Sequence, residues 1–175
     1  MKNTFVFLAI GSLILSATSV KAQDDKSKRA SPPASVSQTI KSGATVKIDY
    51  SQPSLKGRTI GKDVEPNKGK AWRMGANEAT VFEVNKDVKI EGKTLPAGKY
   101  SLFGIMGDNE FTLIFNKAYN IWGTTYEQNK AKDVLQVKVK PSTGNSSVEK
   151  LKYTIDPSGK VTLYWGDLVV PFQVS

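Results

Sequence analysis

Apolar and polar residues alternate along most of the chain, which predicts half-buried antiparallel strands. Val46, Ile48 and Tyr50 show the pattern, because charged residues separate them. Pro171 places the last predicted strand at a sheet edge. About nine strands at roughly ten-residue spacing predict an all-β fold, a single antiparallel β-sandwich or flattened barrel with little helix. The clearest predicted strands are 44–50, 80–84, 87–90, 99–103, 111–115, 134–140, 151–155, 161–165 and 168–174.

The N-terminus is typical of a secretory signal peptide, predicted at residues 1–22. Lys2 supplies a positive start, residues 5–20 an apolar core, and Ala22 a small residue at the cleavage site. The apolar core is short for a membrane span, and an uncleaved anchor is the alternative. We therefore expect an exported protein, periplasmic or secreted, with no membrane span after signal cleavage.

The rest of the chain divides by composition. Residues 23–38 are polar and rich in Pro and Ser, which predicts a disordered leader. Residues 39–175 are predicted to form a single β-sandwich domain. Within it, residues 117–133 are too long for a hairpin turn, and loops of this length tend to be functional or to contain a short helix.

The chain contains no cysteine and no histidine. These absences exclude disulfides, ordinary zinc sites, Cys–His pairs and Ser–His–Asp triads. We expect no cofactor and no metal, and we assign no catalytic residue. Any catalysis would depend on carboxylates, Lys, Tyr or a hard metal bound by oxygen.

The net charge of +9 at pH 7 falls to +7 when Lys2 and Lys21 are removed with the signal peptide. Many of the remaining lysines alternate with apolar residues, as in residues 134–140, which is typical of a solvated sheet face. The alternative is an anionic partner surface, but no nucleic-acid-binding motif occurs. We expect no nucleic acid partner.

The strongest candidate site is the run 72–80, which contains Trp72, Arg73, Asn77 and Glu78. As a ligand-binding site, it offers an apolar plate, a guanidinium fork for a carboxylate or phosphate, and donors and acceptors for hydroxyl groups. The structural alternative is a buried Arg73–Glu78 ion pair, with Asn77 capping backbone groups. In that case Glu78→Ala would cost about 3–5 kcal/mol through the unpaired Arg73.

A second candidate is the group of aromatic residues Tyr119, Trp122 and Tyr126 in the 117–133 loop. Exposed rings on a β-sandwich are typical of glycan-binding modules, since sugar C–H faces stack on them. The alternative is that these rings hold the loop on the sheet. Trp165 follows the period-two pattern and is predicted to lie in the core, with Tyr164 facing outward.

Several motifs, in order along the chain, resemble the secreted bacterial "domain of unknown function" family numbered 2911. The resemblance implies an exported single domain from Gram-negative bacteria, and it implies no reaction, substrate or catalytic residue. One segment departs from the family pattern, since the proline of Glu65-Pro66-Asn67 is not followed by an aromatic residue. The motifs that carry the resemblance are YSQPSLKGR (50–58), WRMGANEAT (72–80), LPAGKYSLF (95–103), IFNK (114–117) and WG (122–123).

These observations favour a non-enzymatic exported domain that binds a small molecule, a glycan or an envelope protein. One alternative is a carboxylate-dependent hydrolase of an envelope or glycan substrate, using Glu78 with Asp49 or Glu83. Glycoside hydrolysis would require two carboxyl groups about 5–10 Å apart across a cleft. Another alternative is a purely structural module. A filled core beneath Trp72 would indicate this alternative, whereas a concave pocket there would indicate a binding module.

Overall fold

The structure of the protein is a computed structural model that describes residues 25–175. The predicted signal peptide and the first two residues of the predicted leader lie outside this range. The described chain forms eleven strands, one short helix and two 3-10 turns. The strands are β1 Pro33–Thr39, β2 Thr45–Ser51, β3 Ala71–Trp72, β4 Thr80–Val84, β5 Val88–Ile90, β6 Lys93–Leu95, β7 Gly98–Met106, β8 Phe111–Asn116, β9 Asp133–Val139, β10 Ser142–Ile155 and β11 Lys160–Gln173. The helix, α1, is Tyr126–Asn129, and the 3-10 turns are Lys26–Lys28 and Lys130–Lys132.

The main sheet is antiparallel and has seven strands. Its order is β1-β2-β4-β7-β8-β9, and β3 pairs with β7. The strands β10 and β11 form a long hairpin, while β5 and β6 form a second small sheet. The main sheet is open, with β1 and β9 at its edges, so the predicted all-β, sandwich-like fold is confirmed and the flattened barrel is not observed.

The core lies between the main sheet and the β10–β11 hairpin. Phe82 of β4 and Phe115 of β8 have ring centroids 5.1 Å apart, and Phe172 of β11 lies 6.2 and 6.4 Å from them. Tyr50 of β2 contacts Tyr153 of β10 edge to face, at 4.8 Å. Truncating one of these buried phenylalanines to Ala would cost about 3–5 kcal/mol, because the cavity could not close fully.

The predicted disordered leader is wrong for residues 33–38. These residues belong to β1, which pairs with β2 in unbroken register from Pro33 opposite Ser51 to Thr39 opposite Thr45. Because the strand lies at the sheet edge, only its Ala34 and Val36 pack against the core. Its outward residues are polar, so its composition resembles that of a leader although its backbone is paired.

The hairpin is longer than the alternation predicts. The strands predicted at 161–165 and 168–174 are one strand, β11, which continues through Gly166 at a φ of +59°. Its partner β10 begins at Ser142, well before the predicted start at residue 151. The last registered pair joins Ser142 to Val169, so Pro171 lies beyond the ladder, where a missing N–H costs nothing.

Candidate functional site

The candidate run 72–80 is a compact turn and not an extended strand. β3 ends at Trp72, and the backbone then adopts positive φ at Met74 (+50°) and Asn77 (+57°). The indole N–H of Trp72 donates a hydrogen bond to the carbonyl of Gly75, at 3.1 Å. Trp72 is only 2% exposed, so it supports the turn from the core and offers little surface as a plate.

Two hydroxyl groups, one from β4 and one from the β10–β11 hairpin, hold this turn in place. The carbonyl oxygen of Met74 accepts hydrogen bonds from Thr80 Oγ1 at 3.1 Å and from the Tyr153 hydroxyl at 2.7 Å. Tyr153 is fully buried, and this burial raises the pKa of its hydroxyl well above the ordinary value. The hydroxyl therefore stays protonated and keeps donating to the carbonyl of Met74.

Arg73 is directed towards the loop between β2 and β3. Its Nη1 lies 3.1 Å from Glu65 Oε2, and its side chain is 19% exposed. Its Nε is buried and has no hydrogen-bond partner. The carbonyl of Glu65 accepts a hydrogen bond from the indole N–H of Trp165, at 2.8 Å. The loop therefore holds Glu65 in place and leaves part of the guanidinium available.

A cavity of about 330 Å³ opens beside Arg73, and we call it the Arg73 cavity. Arg58 is fixed at its wall, since its Nε and Nη2 donate to backbone carbonyls at 3.0 and 2.8 Å. The backbone N–H of Lys62 donates to the carbonyl of Thr59 at 3.3 Å, but its side chain makes no hydrogen bond or ion pair with residues 25–175. Three cationic side chains face two acidic ones, so the cavity keeps a positive charge. Its lining residues include Pro53, Arg58, Lys62, Asp63, Glu65, Asn67, Trp72, Arg73 and Trp165.

Glu78 does not pair with Arg73. Its carboxylate accepts hydrogen bonds from Lys26 Nζ at 2.9 Å and from Arg29 Nη1 at 3.0 and 3.1 Å. The predicted buried Arg73–Glu78 ion pair is therefore wrong, and the stability loss expected from it does not follow. Glu78 is partly exposed, and its partners come from the segment predicted to be disordered.

The electrostatics of Glu78 follow from these contacts. Partial burial would raise its pKa, but hydrogen bonds from Lys26, from its own backbone N–H and from Arg29 outweigh this effect. Together they lower the pKa of Glu78 to about 2. The carboxylate is therefore ionised at neutral and moderately acidic pH.

Residues 25–32 cross the surface beside Glu78, and we call them the N-terminal strap. Asn77 Nδ2 donates a hydrogen bond to the carbonyl of Ser31 at 2.9 Å, so Asn77 caps a backbone group as predicted. Next to the strap lies a second cavity of about 220 Å³, which we call the Glu78 groove. Its lining residues include Lys26, Arg29, Asp49, Tyr50, Glu78, Tyr119 and Ile121.

The three aromatic residues of the 117–133 loop differ in exposure, so one of them fits the structural role and the other two fit the exposed rings of a binding surface. Tyr126 is buried, packs on Phe103 at 4.8 Å and donates to Asp133 Oδ2 at 2.8 Å, so it holds the loop on the sheet. Tyr119 and Trp122 are 44% and 49% exposed, so these two rings do not hold the loop on the sheet by burial. The short helix expected in this loop is present as α1.

Trp165 is 1% exposed, which confirms its predicted place in the core. Its neighbour Tyr164 is partly exposed, as expected for the opposite face of the strand. The Nζ of Lys152 lies 5.3 Å from the centroid of the Tyr164 ring. Trp165 also lines the Arg73 cavity.

The two candidate segments form one unit. Residue Glu78 pairs with Trp122 in an antiparallel bridge, and the N–H of Ala79 donates to the carbonyl of Ile121 at 3.0 Å. The N–H of Gly123 donates to the carbonyl of Asn77 at 3.1 Å. The 117–133 loop therefore packs against the 72–80 turn and lines the Glu78 groove with Tyr119 and Ile121.

The sequence did not indicate four of the residues that complete these sites. Lys26 and Arg29 bind Glu78 across 52 and 49 positions, and periodicity carries no information on such loop contacts. Glu65 and Asn67 lie in the one segment that departs from the family pattern, and this departure was the available signal.

Among residues 25–175, no three His, Cys, Asp or Glu side chains are grouped so that they could hold a metal ion. In the same part of the chain, no helix has the length and apolar character needed to cross a membrane.

The fold and the cavities define a small all-β, sandwich-like domain with a cationic cavity and a second groove, in which Lys26 and Arg29 balance Asp49 and Glu78, beside one turn. The chain belongs to the family "Protein of unknown function (DUF2911)", whose profile matches residues 31–174. The match confirms the resemblance carried by the sequence motifs. No curated protein and no solved structure matches the chain.

Proposed function

We propose that this domain is an exported, non-enzymatic binding module of the bacterial envelope, and that the Arg73 cavity binds a small organic anion. The observation that carries the proposal is Arg73, which lines the cavity and contacts Glu65 through Nη1, while its buried Nε has no hydrogen-bond partner. An unmet buried donor costs about 1–3 kcal/mol, and a ligand oxygen that draws the guanidinium towards the cavity would recover this free energy.

The shape and charge of the cavity support an anion. Its volume of about 330 Å³ is at the lower end of small-molecule sites and fits a single sugar acid or a similar compound. Lys62 is exposed and adds a positive charge to the lining, while Asn67 adds an amide. A guanidinium offers a planar donor fork to a carboxylate or phosphate, which an ammonium group does not.

The alternatives have less support. A purely structural module predicts a filled core beneath Trp72; Trp72 does pack in the core, but it also lines an open cavity, which favours a binding role. A glycoside hydrolase needs a carboxylic acid that is protonated near neutral pH. Asp49 and Glu78 line the same groove, but hydrogen bonds to cationic partners lower the pKa of both. Glu83 lies 3.4 Å from Lys99, on the main sheet.

Export rests on the pattern of residues 1–22, with its positive start, apolar core and small residue at the cleavage site. A periplasmic or secreted location follows if that segment is cleaved. Mass spectrometry of the protein from the envelope fraction of its bacterial host tests this. We expect a chain that starts at Gln23, and a full-length chain in the cytoplasmic fraction would contradict export.

The binding proposal is tested by a thermal-shift titration of residues 23–175 with inorganic phosphate, glucuronate and neutral glucose. We expect glucuronate to raise the melting temperature in a saturable way and glucose to have no effect. Lys62→Ala should weaken the response, whereas Lys86→Ala, in the exposed turn between β4 and β5, should not. The proposal would be contradicted if neither anion bound saturably at concentrations up to about 10 mM. A dissociation constant of that size corresponds to a binding free energy of about 3 kcal/mol.

A further inference from the structure

The N-terminal strap presents two cations to one carboxylate. Its 3-10 turn, Lys26–Lys28, is capped by Asp25, whose Oδ1 accepts hydrogen bonds from the N–H and Oγ of Ser27 at 3.2 and 2.6 Å. Residues three positions apart project on the same side of a 3-10 helix, so Lys26 and Arg29 reach Glu78 together. Lys28 is not a lining residue of the groove; its side chain is 83% exposed, and its Nζ lies 3.7 Å from Asp25 Oδ2.

The groove that receives these cations has its own polar and apolar walls. Glu78 comes from the turn before β4, and Asp49 comes from β2, where it is bonded to Lys47 at 2.8 Å. Tyr50, Tyr119 and Ile121 add apolar and aromatic surface. Apart from the strap's own Lys26 and Arg29, the charged lining residues are the carboxylates Asp49 and Glu78, and carboxylates beside aromatic rings suit the ammonium and guanidinium groups of basic side chains. About 220 Å³ of the groove remains open beside the strap.

We propose that the Glu78 groove is a docking site for a basic peptide segment of a partner protein, one that presents Lys and Arg three positions apart. The strap occupies this site as an intramolecular equivalent of that segment. The site therefore recognises cationic peptide, in contrast to the anion-binding cavity next to it.

A partner peptide can displace the strap from the Glu78 groove. Its ion pairs are partly exposed, with Lys26 more than half exposed, and such pairs contribute at most about 1 kcal/mol each. A short tether gives the strap an effective concentration in the millimolar range, which a partner with additional contacts can exceed. The strap ends where β1 begins at Pro33, so its release leaves the β1–β2 ladder intact.

The test is an NMR titration of ¹⁵N-labelled residues 23–175 that carry the double substitution Lys26→Ala and Arg29→Ala. The probe is a capped peptide of residues 25–31, and two further peptides replace either Lys28 alone or both Lys26 and Arg29 by Ala. We expect saturable shifts at the amides of Glu78, Ala79 and Ile121. The Lys28-replaced peptide should bind as well as the original, and the doubly replaced peptide about tenfold more weakly.

Two further proteins make the result decisive. Wild-type residues 23–175 should bind the original peptide at least about tenfold more weakly than the double variant, because the strap competes. Adding Glu78→Gln to the double variant should abolish the binding while the dispersion of the NMR spectrum stays native. Equal affinity for all three peptides, retained binding with Glu78→Gln, or no shift at these amides would overturn the inference. The test does not depend on the ligand of the Arg73 cavity, since only peptide is added.

Discussion

Gly123 lies so close to the side chain of Arg73 that a Cβ at position 123 would overlap the Cδ of the arginine. Its own N–H is bonded to the carbonyl of Asn77, so Gly123 cannot withdraw without breaking the contact between the two loops. The absence of a side chain at this one position lets the arginine run beneath the 117–133 loop and enter its cavity. This contact gives a physical reason for the occurrence of Trp122-Gly123 and the 72–80 run in one chain.

Gly123→Ala should therefore displace Arg73. We expect a loss of about 1–3 kcal/mol in the free energy of unfolding, the usual cost of overpacking, and weaker binding of glucuronate. Urea denaturation measures the first effect and calorimetric titration the second. In an Arg73→Ala background the cost of Gly123→Ala should fall, as a double-mutant cycle would show. An equal cost in both backgrounds would mean that the clash does not involve Arg73.

The carboxyl group of Glu78 should titrate near pH 2. Its pKa in the folded protein lies below the ordinary value of 4.5, so its stabilising effect is complete above about pH 4.5 and is lost as the pH falls towards 2. The charged groups that face it are Lys26 and Arg29 of the strap and Asp49 across the groove. Carbon-detected NMR of the side-chain carboxyl measures this pKa directly.

Substitutions in the strap give the control for that titration. Lys26→Ala with Arg29→Ala should move the pKa of Glu78 back towards its ordinary value, because the donors that favour the carboxylate are gone. Lys28→Ala, with its side chain in solvent, should leave the pKa unchanged. A normal pKa in the wild-type protein would show that the strap does not rest on Glu78 in solution.

Tyr126→Phe isolates the hydrogen bond that anchors the aromatic loop. Burial and the adjacent Asp133 raise the pKa of the Tyr126 hydroxyl above its ordinary range, so it donates at any working pH. Removal of this hydrogen bond to a charged acceptor should cost about 1–3 kcal/mol of unfolding free energy. The cost should not exceed this range, because Asp133 keeps the hydrogen bonds from Asn116 and Gln136. Tyr119→Phe, at an exposed ring, should change stability by less than about 0.5 kcal/mol. Equal effects of the two substitutions in denaturant titrations would contradict the assigned roles.

The sequence predicted those parts of the fold in which side chains alternate between core and solvent. In β2, Val46 and Ile48 are fully buried, as their spacing indicated. The pattern failed at β1 and at the start of β10, where outward residues are polar and few inward ones reach the core. Backbone pairing orders these segments, and hydrophobic periodicity does not report it.

The candidate site was located correctly in the chain, but its internal contacts were not. A run that contains Arg73 and Glu78 suggests that the two charges meet, yet the positive φ at Met74 and Asn77 separates them. Arg73 turns to Glu65, whereas Glu78 turns to the strap. Local spacing limits which residues can be neighbours, and the long-range packing of loops decides which of them interact.

The central claim is that Arg73 binds an anion in its cavity, and calorimetric titration of glucuronate into residues 23–175 tests it most directly when the wild type is compared with Arg73→Lys. The substitution keeps the charge and removes the planar fork. We predict saturable binding to the wild type and a loss of about tenfold or more in the variant, with the melting temperature little changed. Equal affinity in the two proteins, or no binding to the wild type, would contradict the account.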